Sequence, residues 1–259
     1  MIEIENLTIE YDNISESVLK NLNFSFSDEK IVIIGSNGSG KTTFFKSLLG
    51  LVPIKSGSIK IHNIPLTKIN SLLDISTNIV DVYKLIFLPI KDLIRVYANL
   101  KGGDPNEAFN YFKEFELEGI FNKKLHNLSA GQQKMFCNIL AICFSPNIVL
   151  LDEPFENLDQ NRRNKFLSLI NLLNCSIMII THEMYILSFL TDFKFVFLLD
   201  KSIFGKFSIT DIERMYITKG KVEGAIIIET SKGTFSLTLD NGDYLLKTIT
   251  NIDSILGLE

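Results

Sequence analysis

Three short stretches of this 259-residue chain carry side chains able to handle a polyphosphate. The first is GSNGSGKTT, from Gly35 to Thr43. Gly35, Gly38 and Gly40 can take backbone conformations closed to other residues, so successive N–H groups can turn inward around phosphate oxygens. Ser36, Asn37 and Ser39 fill the loop between them, and Thr43 follows it. The spacing is G-x-x-x-x-G-K-[ST], in which Lys41 supplies a point charge to the β- and γ-phosphates and the Thr42 hydroxyl can ligate Mg²⁺. The second stretch, NIVLLDEP, ends an apolar run in Asp152 and Glu153. One carboxylate there can hold Mg²⁺ and its neighbour can orient an attacking water. The third, SIMIITH, ends a similar run in His182, a group that can reach a γ-phosphate or the attacking water.

A fourth stretch, HNLSAGQQKM, is small and polar and precedes the apolar run CNILAICF. Ser129 reads as the N-cap of a helix that begins there.

These groups need elements to hold them. Ile31 to Ile34 reads as a β-branched strand feeding the glycine loop, and Thr43 to Leu49 as the helix after it, stopped by Gly50. Ile148 to Leu151 and Ile177 to Ile180 are unbroken apolar runs, as strands of a parallel sheet covered on both faces should be. Ligands of such sheets gather at the carboxyl ends of the strands, where Asp152 and His182 fall. Strands near Ile2 to Tyr11, Val18 to Phe26 and Ser58 to His62 suggest an antiparallel part. Asp92 to Phe121 reads as two or three helices broken at Gly102 to Pro105. Glu183 to Leu190 reads as a helix and Lys194 to Leu199 as a strand. In the tail, VEGAIIIET, GTFSLTLD and DYLLKTI read as three short strands with SKG and DNG turns. A packing extension of the core is the preferred reading of this tail over a regulatory or partner-binding module.

Composition narrows the class. Hydrophobic residues are 46% of the chain, enough for a sizeable core, and the net charge is −4. That balance argues against a nucleic-acid partner, whose footprint is basic. The longest apolar runs fall well short of the roughly 20 residues that cross a bilayer, and the N-terminus lacks a basic leader region. Cys137, Cys143 and Cys175 have no metal-ligand spacing and are expected to be buried thiols of a reduced, cytoplasmic protein.

Taken together, the motifs resemble the nucleotide-binding subunit of ATP-binding-cassette (ABC) proteins. Gly35 to Thr42 matches the Walker A motif, Leu128 to Gln132 the LSGGQ signature with Ala130 for one glycine, and Ile148 to Asp152 the Walker B motif. Glu153 matches the catalytic glutamate, Asn157-Leu158-Asp159 the D-loop, His182 the switch histidine, and Tyr11 the aromatic that stacks on adenine. The signature ends twenty positions before Asp152, a spacing typical of the family. The resemblance covers roughly residues 1 to 205. It implies an α/β fold: a P-loop NTPase core with a mostly parallel sheet, an antiparallel β subdomain, a short helical subdomain at about 91–145, and here a β-rich appendage at 206–259.

The resemblance also implies a function. ATP and Mg²⁺ are the expected cofactors, with Lys41, Glu153 and His182 catalytic and Thr42 and Asp152 on the metal. Two such subunits, identical or paralogous, pack head to tail, so that Ser129, Gly131 and Gln132 of one close over the nucleotide of the other. The leading expectation is the ATPase of a transporter, driving a separate integral membrane permease, for export, from the inner face of the cell membrane. The alternative is a soluble ABC ATPase of an assembly process such as iron–sulfur cluster assembly. A non-hydrolysing nucleotide module is disfavoured, because Lys41, Asp152, Glu153 and His182 are all present. Only 38 residues separate Pro89 from Leu128, which leaves no room for a coiled-coil insertion. One departure stands out. The family places a Gln after a strand read here as Leu85 to Leu88, and the matching residue reads as Ile90, with Asp92 as the nearest substitute.

Overall fold

The computed structural model describes residues 1–11, 17–35, 38–84, 87–230 and 233–249, without the side chains of Tyr185 and Lys247. In chain order, β1 (Ile2–Ile9), β2 (Leu19–Phe26), β3 (Lys30–Gly35), α1 (Lys41–Leu48), β4 (Ser56–Ile61) and β5 (Ile64–Pro65) come first. Then come β6 (Ile75–Thr77), α2 (Ile90–Lys101), α3 (Pro105–Glu114), α4 (Ala130–Ile142), β7 (Ile148–Asp152), α5 (Gln160–Leu172) and β8 (Ser176–Thr181). The chain ends with β9 (Lys194–Leu199), β10 (Ser202–Phe207), α6 (Ile209–Arg214), β11 (Met215–Lys219), β12 (Ile226–Thr230), β13 (Gly233–Leu239) and β14 (Tyr244–Leu245). The chain forms two compact units, Met1–Asn70 with Ile180–Glu259, and Ser71–Ile179.

In the first unit, β3 pairs in parallel with β9, Ile31 opposite Lys194 through Gly35 opposite Leu198, and β10 adds antiparallel to β9. Ile31 to Gly35 are all buried, which explains their unbroken apolar run. Helix α1 buries Phe44, Phe45 and Leu48, each contributing about 2 kcal/mol by removal from water. A separate antiparallel sheet has the order β2-β1-β4-β5. Its inward residues alternate along β1: Ile2 and Ile4 face Phe26 and Phe24 on one side and Ile61 and Ile59 on the other, while Glu5 pairs with Lys60 outside.

The C-terminal sheet has four strands, not three, in the order β12-β13-β11-β14. The strand not anticipated is β11, which lies between β13 and β14 and buries Met215 and Ile217. The segment after His182 is also tighter than expected, a 3₁₀ helix over Met184–Phe189.

In the second unit, β6 pairs in parallel with β7, Ile75 opposite Ile148 through Thr77 opposite Leu150. Helix α2 buries Ile90, Leu93, Ile94 and Ala98, the helical spacing of a core face, and stops at Gly102 with φ 70°. Helix α3 starts at Pro105 with Asp104 as N-cap, its carboxylate accepting from Asn106 N–H at 2.9 Å. Helix α4 is buried on all sides from Met135 to Ile142, with Phe136 against Phe112 and Tyr83. Burial raises the thiol of Cys137, on this helix, to about 12, so it is a protonated core group.

Candidate functional site

The candidate residues divide between the two units. In the first, β3 delivers the chain to the glycine loop and α1 receives it. Gly35 is pressed against β9: a Cβ there would stand 2.4 Å from the Leu198 carbonyl oxygen and 2.8 Å from Ser39 Oγ. Gly38 and Gly40 have φ of 82° and 95°, in the left-handed region that favours glycine. Gly40 is also the residue just before α1, and a Cβ on it would meet Leu19 and Val18. Ser36 and Asn37 lie outside the described residues.

Lys41 is the first residue of α1. Its side chain is buried and its Nζ donates to the Gly35 carbonyl at 2.8 Å, so the ammonium sits across the base of the loop. The Ser39 hydroxyl is buried without a hydrogen-bond partner among the described residues. Thr42 is exposed beside it, and no acidic residue occupies the first turn of α1. An orphaned hydroxyl, a buried cation, left-handed glycines and an acid-free helix start suit a polyanion rather than a plain turn. Tyr11 follows β1 and comes to the same helix, its hydroxyl 3.3 Å from Thr43 Oγ1. His182 is exposed at the end of β8, after Thr181, whose Oγ1 accepts from the Glu183 N–H at 3.1 Å.

In the second unit, Ser129 caps α4 in a reciprocal box. Its Oγ accepts from Gln132 N–H at 3.3 Å, and Gln132 Oε1 accepts from Ser129 N–H at 3.2 Å. The cap uses a lone pair of the hydroxyl, which keeps its proton to donate. Gly131 lies in the first turn of α4, and a Cβ there would stand 2.6 Å from the Asn157 carbonyl oxygen. Asp152 closes β7, half-buried, and Glu153 follows with φ 43°.

Three residues not singled out by sequence sit behind this turn. Asn78 Oδ1 accepts from Asp152 N–H at 2.7 Å, and Asn78 Nδ2 donates to Asp152 O at 3.1 Å and to Asn138 Oδ1 at 2.7 Å. Asn138 Nδ2 donates to Pro154 O at 2.7 Å, and Lys134 Nζ donates to Asp152 O at 3.0 Å. Asn138 could have been noticed as one polar residue in the apolar run CNILAICF.

The loop assignment at Ile90, after the strand expected at Leu85 to Leu88, needs correction. Leu85 and Ile86 lie outside the described residues, and Phe87 and Leu88 belong to no strand. The strand in this part of the chain is β6, and the residue following it is Asn78. Ile90 instead opens α2, fully buried, its N–H bonded to the Lys123 carbonyl at 2.9 Å. The reason is local: Ile-Ser-Thr pairs readily with β7, while Pro89, with φ fixed and no N–H, starts a helix. Asp92 makes an exposed ion pair with Arg95, 2.9 Å away on the next turn.

A family model described as "ABC transporter" matches residues 19–156, more than half of the chain. The chain belongs to the ABC transporter family. It is an ATP-binding subunit and an ATPase of that family, with the α/β fold the motifs implied. Among curated relatives it is 29% identical over 200 residues to the zinc import ATP-binding protein ZnuC of Wigglesworthia glossinidia brevipalpis, covering 74% of this chain and 80% of that one. It is 32% identical over 180 residues to the human ATP-binding cassette sub-family A member 10, covering 65% of this chain but only 12% of that protein. Among solved structures, a "putative Cobalt transport ATP-binding protein (cbiO-2)" matches over 100% of both chains with a TM-score of 0.91 and 31% identity. A dimeric bacterial ABC transporter cassette matches over 81% of this chain and 99% of its own, with a TM-score of 0.68 at 24% identity, a likeness of fold.

Proposed function

We propose that this ABC subunit binds ATP with Mg²⁺ at Gly35–Thr43, hydrolyses it in a head-to-tail dimer, and drives a separate membrane permease. The observation that carries the reading is the loop before α1, where a buried Lys41 and an orphaned Ser39 hydroxyl face a helix start without acids. Such a loop binds phosphate oxygens through backbone N–H groups and the helix dipole. Lys41 then neutralises the β- and γ-phosphates and Tyr11 packs on the base. Thr42 and Asp152 are the oxygen donors that would hold Mg²⁺, which would offset phosphate charge there.

Glu153 accepts the proton of the attacking water, and His182 orients the γ-phosphate. The Ser129 hydroxyl, the Gly131 N–H and Gln132 serve the nucleotide of the partner subunit, where the start of α4 stabilises the γ-phosphate. The partner is a second copy or a paralogue.

Permease docking is assigned to the segment between β6 and α2, which leaves Val82, Phe87 and Leu88 exposed, Phe87 at 69%. Apolar side chains held in solvent near one another mark interaction surfaces. Among the described residues no helix is long and apolar enough to cross a membrane, in keeping with a permease on another chain. We place the subunit at the cytoplasmic face of the membrane and assign it to export, although zinc import appears in one relative's name. Reconstitution with the candidate permease in vesicles tests all of this. ATP outside inside-out vesicles should drive accumulation of the transported solute, and Phe87→Asp should uncouple transport while ATP turnover by the isolated subunit persists. ATP-driven loss of solute from such vesicles would overturn the direction, and no Mg²⁺-dependent hydrolysis would overturn the reading.

A further inference from the structure

Glu153 occupies a strained position. Its φ of 43° lies in the left-handed region, which costs a residue with a Cβ about 1 kcal/mol or more. Such a conformation persists only where its surroundings over-determine it. Here the surroundings are two buried amides from distant parts of the second unit. Asn78, just past β6, grips Asp152 through both its N–H and its C=O. Asn138, in the middle of α4, holds the Pro154 carbonyl, and the two amides bond to each other at 2.7 Å. Both side chains are almost wholly buried, at 1% and 0% exposure. The backbone on either side of Glu153 is therefore fastened to the helix that Ser129 caps.

We propose that Asn78 and Asn138 are positioning residues for Glu153, linking the register of α4 to the geometry of the hydrolytic step. The inference rests on the reading of Glu153 as the base. Each amide acts by fixing the Asp152–Pro154 backbone, so that the Glu153 carboxylate points where the attacking water stands. Fully satisfied buried amides of this kind specify one arrangement, and losing one leaves its partners without a hydrogen bond. Nucleotide affinity is set at Gly35–Thr43 and is independent of the pair.

The test compares Asn138→Leu, Asn78→Leu, the double variant and Glu153→Gln, with ATP affinity, kcat and KM as readouts. Each single amide variant should lose at least tenfold in kcat while ATP affinity stays within twofold. The double variant should be no slower than the slower single, because the pair acts as one unit. Backbone amide exchange at Asp152, Glu153 and Phe155 should speed up in all three. Should Asn138→Leu not fold, Asn138→Ala carries the same expectation: it suits the helix but can neither accept from Asn78 nor donate to Pro154 O. A folded Asn138 variant with kcat within twofold of wild type, or losses that simply add, overturns the inference. Glu153→Gln separates the two levels. If it still hydrolyses ATP, the base assignment falls and this inference with it. If it is inactive while the amide variants turn over normally, the inference alone falls.

Discussion

Gly131 of the signature loop lies directly against Asn157 of the D-loop, close enough that a single methyl at 131 would stand 2.6 Å from the Asn157 carbonyl oxygen. That oxygen belongs to backbone, and Asn157 itself has φ 61°, so it has little freedom to give way. The segments matching the signature and the D-loop are therefore in contact within one subunit, and glycine is required at 131 for space.

Gly131→Ala tests this contact first. It should lower hydrolysis severalfold by displacing Asn157, with ATP affinity of the isolated subunit unchanged. Gly131→Asp should be worse, since it adds a charge facing the partner's γ-phosphate. Both can be read from steady-state hydrolysis beside an equilibrium nucleotide titration. Equal loss of affinity in the monomer would mean that the loop serves its own subunit's nucleotide.

Lys41→Ala should abolish both binding and hydrolysis. The ammonium bonded to the Gly35 carbonyl is the charged side chain inside the loop, and no neighbour on α1 before Lys46 can replace it. Isothermal titration with ATP measures this, and undiminished affinity would refute the loop assignment.

Glu153→Gln should keep ATP binding and stall hydrolysis, because an amide holds water but does not accept its proton. The variant should accumulate as an ATP-bound dimer on gel filtration. A monomeric elution at saturating ATP would count against the head-to-tail arrangement.

Ile90 and Asp92 lead to opposite expectations from those the sequence suggested for the first of them. Ile90→Gln, which would supply the amide the family places after the strand expected at Leu85 to Leu88, instead puts it in the core face of α2. It should destabilise the fold by about 1–3 kcal/mol and leave Mg²⁺ dependence unchanged. Asp92→Ala removes an exposed ion pair with Arg95 and should cost only about 0.3 kcal/mol, with turnover unaffected. Chemical denaturation beside steady-state hydrolysis resolves both, and loss of activity in Asp92→Ala would restore it as the substitute for the family's Gln.

What the sequence determined by itself was local. The glycine loop, the apolar runs ending in Asp152 and His182, and the Ser129 cap were legible because each depends on neighbours a few residues away. Strand burial and helix capping follow from such short spacing. The broken helical pair at Gly102–Pro105 was legible for the same reason. Only the tertiary structure decided that β6, a three-residue strand, precedes the polar residue behind Asp152, and that β11 lies between β13 and β14. It alone brought Asn78 to Asn138, 60 positions away, and Gly131 to Asn157. An amide in a sequence can bond to many groups, and which one it meets is set by the path of the chain between them. The buried backbone groups at Asp152 and Pro154 must be satisfied by something, and only the packing of β6 and α4 around β7 selects these two side chains.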